Sequence, residues 1–191
     1  MIIALTGTPG TGKTTIASTL KQWDVTVISL KELAIEHDFI ESYDETRKSS
    51  ILDVDAIESY LQTNLDTNNL IVIESHLSHL LNLVESVIVL RCHPKELRKR
   101  LLKRNWSWNK IKENLEAEIL DVILCESVEY HTNEYVWEIE TSTKTNMQVA
   151  ETIKQQFIDN NLSSDLCKPG SYDWSEYLFD SHIMEKEHHG P

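Results

Sequence analysis

The 191-residue sequence predicts a three-layer α/β domain built on a parallel five-stranded sheet. Two observations lead there. Short apolar runs of strand length alternate with stretches whose apolar residues fall at helical spacing, the pattern of a parallel sheet covered on both faces. A glycine-rich turn, GTPGTGKTT at residues 7–15, joins the first of these runs to the first helix.

Ile2 to Leu5 is the first strand, and TTIASTLKQW follows the turn with Ile16, Leu20 and Trp23 on one helical face. VTVIS (25–29) reads as a second strand and LKELAIEHD as a short helix. ESYDETRKSSIL (41–52) reads as a polar loop, and DVDAIESYLQTNL as a helix that Asp53 caps. Within NNLIVIES (68–75) the run Leu70 to Ile73 suits a central parallel strand, as does SVIVLRC (86–92). Pro94 suits the first turn of a helix running through Leu97, Leu101 and Arg104. Ile111, Leu115, Ile119, Val122 and Ile123 predict one long helix, YVWEIET (135–141) is the last strand, and a helix from about Met147 to Ile158 closes the unit.

Residues 1–160 are thus expected to form the domain, with an insertion at about 29–52 and a short lid at about 103–113. Residues 161–191 are polar, acidic and turn-rich, a tail of different character. Its Tyr172, Trp174, Tyr177 and Phe179 fit either a tail folded back on the core or a segment that orders on a partner. His188 and His189 are too few for a metal tract.

The charge balance narrows the function. A net charge of −13 opposes broad, non-specific nucleic-acid binding, because phosphates would be repelled. Of 18 Lys and Arg, nine lie between Arg91 and Lys112, where Glu96 is the only acid. Such a run is ordinarily a solvated face; beside a phosphate cradle it reads as a contact for something small and polyanionic. No stretch approaches the ~20 apolar residues of a membrane helix. The chain enters its first strand directly, so no signal peptide is expected. Cys92, Cys125 and Cys167 are scattered thiols without a CxxC pair, which points to a reducing, cytoplasmic location.

Gly7, Gly12, Lys13 and Thr14 fill the pattern GxxxxGK[ST] between strand and helix, the P-loop context. Glycines at 7, 10 and 12 let backbone N–H groups turn inward as an anion nest at a helix N-terminus. Lys13 supplies a full charge for the β- and γ-phosphates of a nucleoside triphosphate, and the Thr14 hydroxyl can ligate Mg²⁺. A turn that only joins strand to helix would not need all these positions constrained together.

Glu74 ends the buried strand at the position where P-loop folds orient Mg²⁺, although any strand can end on a carboxylate. His76 follows two residues later and is a candidate to position water or the transferred phosphoryl group; a lone histidine is otherwise structural. On the helix after Pro94, Leu97, Arg100, Leu101 and Arg104 share one side, with the leucines as anchors and the arginines placed for transition-state charge. Trp106 and Trp108 can stack on a base, close a lid or simply pack. No NKxD-like segment argues for guanine. The insertion after the second strand sits where small-molecule kinases build an acceptor site, with Tyr43, Asp44, Glu45 and Arg47 as candidates and Arg47 as the phosphate contact.

GTPGTGKTT, ISLKELA, ESHLSHL, VLRCHPKELRKRLLKRNW, IKENLEAEILDVILCE and DWSEY together resemble the adenylate kinase isoenzyme 6 family, closest to its archaeal branch, over roughly residues 1–180. The resemblance implies a nucleoside monophosphate kinase core that moves phosphate between ATP and AMP. It also implies ATPase activity and a role in small ribosomal subunit maturation through a platform protein of the uS11 type. By position it implies that Gly10, Gly12, Lys13, Thr14 and Thr15 hold ATP, that Arg104 is the lid arginine reaching ATP, and that Arg100 matches the arginine of the RL..R segment. Ser29 to Leu52 then falls in the monophosphate-binding region, and Glu74 and His76 match an acid-x-His element. Relatives often carry Asp at Glu74 and Gly at Asn105. Two other readings stand beside it: an assembly ATPase with no monophosphate acceptor, and a kinase of some other small metabolite.

Overall fold

The computed structural model describes residues 1–23, 25–45, 49–66, 69–159, 161 and 165–186. At its centre lies β1 (Ile2–Gly7), buried along its whole length. The chain continues through α1 (Lys13–Leu20), β2 (Thr26–Ser29), α2 (Leu30–Glu36), β3 (Ile40–Asp44), β4 (Ser49–Leu52), α3 (Val54–Asn64) and β5 (Ile71–Glu74). Then come β6 (Ser86–Arg91), α4 (Pro94–Leu102), α5 (Trp108–Ile119), α6 (Val122–Tyr135), β7 (Val136–Glu140), α7 (Asn146–Phe157) and a short α8 (Ser181–Met184).

Five strands form one parallel sheet in the order β2-β5-β1-β6-β7. Alternate strand residues feed two cores, as the pleat requires. Ala4, Ile71, Ile73, Val87, Val89 and Val136 pack under α2, α3 and α6. Ile3, Leu5, Val72, Ile88, Leu90 and Ile139 pack under α1 and α7. The predicted three layers and all five predicted strands are present. Asp53 caps α3 by accepting from the Ala56 N–H at 2.9 Å, as expected.

Two expectations are corrected. Residues 41–52, expected as a polar loop, contribute to an antiparallel hairpin of β3 and β4, with Tyr43 opposite Ser50 and Asp44 opposite Ser49. Its largely exposed strands, IESYD and SSIL, lack the alternation of a half-buried strand, so composition hid it; Arg47 lies outside the described residues. The long helix expected across residues 111–123 is two helices broken at Asp121, whose backbone is left-handed (φ 56°). The break has a cause: buried Arg91 on β6 takes the Glu118 carbonyl at 3.3 Å and the Asp121 carboxylate, diverting groups that a continuing helix would use. Ile111, Leu115 and Ile119 therefore pack with α4, whereas Ile123 packs against the sheet and Val122 is exposed.

Of the two readings of the tail, folding back on the core is the one observed for the described residues. Residues 165–186 are integrated into the fold: Glu138 and Cys167 exchange backbone hydrogen bonds at 2.8 and 2.9 Å. Trp174 is buried, and Ile183 and Met184 join Leu97, Leu101 and Ile111 in a third core. Phe179 alone among the tail aromatics stands out in solvent, 90% exposed. His188 and His189 lie outside the described residues. Among the described residues no helix is long and apolar enough to cross a membrane.

Candidate active site

The carboxyl ends of β1 and β5 and the head of α1 converge on one locus, where α/β sheets bind ligands. Gly7 and Gly10 both have positive φ (134° and 105°). Space reinforces this: a Cβ on Gly7 would overlap the Leu90 carbonyl, and one on Gly10 would lie 2.9 Å from Leu97 and 3.1 Å from Leu101. The two leucines of α4 thus roof the turn, which is why the turn can be no bulkier. Gly12 is the N-cap of α1 and brings no side chain to it, leaving its first turn disposed toward an anion.

Lys13 is 9% exposed and donates to the carbonyls of Gly7 (2.6 Å) and Thr8 (3.1 Å). Burial, with Arg104 adding a minor push, lowers it to about 8; Glu74 and Glu118 act against the shift. Arg104 thus stands within electrostatic reach of Lys13, exposed at the end of α4 and 4.9 Å above the Trp106 ring. The Thr14 hydroxyl faces Glu74 at 3.4 Å, and both Thr14 and Thr15 are exposed at the head of α1. The sequence-predicted Lys13, Thr14 and Glu74 are brought together at the head of α1, with the charge of Arg104 reaching Lys13 from beyond the end of α4.

Arg100 goes elsewhere. It donates to the Thr141 carbonyl at 2.9 Å and hydroxyl at 3.3 Å, and pairs with Glu96 at 3.3 Å, so it does not line up beside Arg104. Trp106 lies under Arg104 and Lys110, and Trp108 under Arg98, so both rings are engaged in cation–π packing around the lid.

His76 keeps an open face to solvent, yet crowding around the ring pushes it down to about 4, helped by Lys13, His79 and Lys110. It is neutral at physiological pH and can accept a hydrogen bond from water or a substrate hydroxyl. Three buried groups escaped the sequence reading. His79 is fully buried; its Nε2 lies 3.0 Å from Glu126 and its Nδ1 3.0 Å from Thr6. A carboxylate accepts only, so Nε2 carries the proton and Nδ1 accepts from the Thr6 hydroxyl. Glu118 accepts from the Cys92 N–H at 2.9 Å and from Arg91 Nε at 3.1 Å. Its signal was visible: a single acid on the apolar face of Ile111, Leu115 and Ile119. Arg91 was counted with the basic run but is 2% exposed and paired with Glu118, Glu138 and Asp121.

One pH dependence follows. Free Lys13 sits at about 8, and bound phosphate would raise it, so binding takes up a proton above pH 8. Affinity for an ATP analogue is expected to be flat from pH 6.5 to 7.5 and to fall above 8, approaching tenfold per pH unit. Calorimetry in buffers of different ionisation heat would register the proton; a flat affinity to pH 9.5 contradicts it.

Sheet order, P-loop and flanking helices define a P-loop fold of the nucleoside monophosphate kinase type. Residues 3–121 match the model of a family described as AAA domain. The chain is 42% identical to a protein of Archaeoglobus fulgidus, covering 94% of this chain and 95% of that one. It is 42% identical to one of Methanothermobacter thermautotrophicus (93% and 99% covered) and 37% to one of Methanocaldococcus jannaschii (97% and 99%). All three carry the name "Putative adenylate kinase". Among solved structures it is similar to shikimate kinase of Acinetobacter baumannii in complex with shikimate, at TM-score 0.54 and 17% identity over 85% of this chain and 95% of that one. Thymidylate kinase of Candida albicans matches at TM-score 0.53 and 12% identity, over 88% and 97%. The chain belongs to the family of these archaeal adenylate-kinase-named proteins.

Proposed function

We propose that this chain is a nucleoside monophosphate kinase of the adenylate kinase type, moving the γ-phosphoryl group of ATP to AMP. The observation that carries it is the placement of an acceptor lobe. Ser29, which caps α2, pairs in register with Glu74, so the insertion of α2, the hairpin and α3 springs from the strand end beside the phosphate cradle. Relatives that match over almost the whole chain bear the adenylate kinase name.

In the reaction, a phosphate oxygen of AMP attacks the γ-phosphorus in line while the bond to the β–γ bridging oxygen breaks, leaving two ADP. The P-loop nest and Lys13 hold the donor, and Arg104 offers charge to the developing oxygens. Arg100 is tied to Thr141 and would have to leave it to do the same. Thr14 and Glu74 are hard oxygen donors suited to Mg²⁺, which keeps waters and substrate phosphates as its other ligands. Bound there, it would neutralise phosphate charge.

AMP brings an ionised oxygen and needs no base. Water does. A solvent-open, neutral His76 beside Lys13 favours ATP hydrolysis as a side activity, or as the main one in an assembly ATPase. The test is ADP production by the purified chain with and without AMP. Two ADP per ATP consumed, many-fold faster with AMP, is expected; equal phosphate release in both refutes the kinase. His76→Ala is expected to cut AMP-free hydrolysis by about 10²-fold and transfer to AMP by much less. A role in small-subunit maturation through a basic platform protein, of the uS11 type, fits the charge of −13. A pull-down at physiological salt recovering no ribosomal protein would count against it.

A further inference from the structure

The turn that carries His76 has a buried anchor. Of its polar side chains, Ser75, Ser78 and His79 are 8%, 0% and 0% exposed, whereas His76 faces outward. The Ser75 N–H donates to the Leu5 carbonyl at 3.2 Å, and the Ser78 hydroxyl lies 3.2 and 3.0 Å from the carbonyls of Leu5 and Ser75. The Leu77 N–H donates to the Ser75 hydroxyl oxygen at 3.1 Å, and the Leu80 N–H to the Leu77 carbonyl at 3.0 Å. Residues 74–80 thus form one closed turn, with His76 on its open side and His79 on its buried side.

His79 fastens this turn to the elements on either side. Its Nε2–H donates to the Glu126 carboxylate at 3.0 Å, its Nδ1 accepts from the Thr6 hydroxyl at 3.0 Å, and its carbonyl accepts from His131 Nε2 at 2.6 Å. Glu126 and His131 both belong to α6, and Thr6 immediately precedes Gly7 of the P-loop. One residue therefore ties the turn to α6 and to the strand that enters the cradle. Leu81, two residues on, and Ile123 and Leu124 of α6 lie in an apolar core, where a leucine would meet the need for packing alone. A chain of hydroxyl, imidazole and carboxylate adds direction, because each bond holds only in one orientation of the ring.

We propose that His79 is a positioning residue for His76. Held by Thr6, Glu126 and His131, it fixes the rotation of the turn and with it the place where the His76 ring stands beside the phosphate cradle. The proposal rests on the reading that His76 orients water for ATP hydrolysis; it does not need AMP to be the acceptor.

Glu126 is the place to test it, because its side chain is 46% exposed and its replacement leaves the core filled. Glu126→Leu removes the acceptor for Nε2–H. It is expected to lower kcat for AMP-free hydrolysis about five- to tenfold, with KM for ATP and transfer to AMP within about twofold of wild type. Glu126→Gln keeps an acceptor oxygen and is expected to recover to within about threefold. In a His76→Ala background, Glu126→Leu is expected to cost less than about twofold more, because the ring it helps to place is gone. A purely structural role predicts equal losses in both backgrounds, with transfer to AMP falling alongside. That result overturns the proposal, as does a Glu126→Leu variant that hydrolyses ATP like the wild type. A wild type that hydrolyses ATP but ignores AMP removes the kinase reading alone, and the two backgrounds still decide this inference. A His76→Ala variant that hydrolyses ATP like the wild type removes the role of His76 and this inference with it.

Discussion

Lys13→Ala is expected to lower phosphoryl transfer by about 10²–10³-fold or more while leaving the protein folded. The buried ammonium lies against the nest, and its present bonds go to the carbonyls of Gly7 and Thr8. Those carbonyls are a resting place, from which the ammonium can turn to the β- and γ-phosphates when nucleotide enters. Stability should move the other way. Lys13 is lowered to about 8 in the fold against 10.5 when free. Below pH 8 both states hold the proton, and the fold bears the full cost of a buried charge; that cost fades as pH rises from 8 through 10.5. Alanine removes it, so the melting temperature at pH 7 is expected to hold or rise even as activity vanishes. A coupled assay and a thermal melt on the same preparation decide the matter. Turnover within tenfold of wild type would mean that the cradle does not deliver phosphate.

How much of this was legible in the sequence depends on how local the cause was. The P-loop was readable because every constraint lies within residues 7–14. The five strands were readable because Ile71–Glu74 and Ser86–Arg91 are continuous buried runs, and Asp53 because a cap acts over three residues. The break between α5 and α6 was not, because periodicity records which face is apolar, not what the face meets. Ile119 and Ile123 satisfy one spacing rule yet enter different cores. Arg91 was grouped with its basic neighbours although it ends a buried strand; its partners Glu118 and Glu138 lie 27 and 47 residues away. Arg100 shows the same limit in reverse. Helical spacing put it beside Arg104, but the Thr141 carbonyl at the end of β7, 41 residues on, claims its guanidinium.

Arg91→Met carries the largest expected cost to stability. Methionine fills much of the space of the arginine stem but leaves Glu118 and Glu138, 3% and 0% exposed, without a counter-charge. Breaking a buried pair from one side costs about 3–5 kcal/mol, which for a chain of this length lowers the melting temperature by roughly 6–20 °C. The sign of the pH effect identifies the cause. Burial already raises both carboxyls above 4.5, and Arg91 is the main group holding them down. Without it they rise further, so the folded variant takes up protons that the unfolded chain does not hold. A carboxyl raised in the fold favours folding below its unfolded value, and this support is lost as pH climbs through the folded value. The deficit of Arg91→Met relative to wild type should therefore be greatest at pH 8 and shrink toward pH 5. Urea unfolding at both pH values measures it. A deficit that is the same at pH 5 and pH 8 would mean that lost packing against Trp174, 4.7 Å from the guanidinium, outweighs the stranded charge. A deficit that shrinks would assign the cost to Glu118 and Glu138, and so to the carboxylates that tie α5 and β7 to the end of β6.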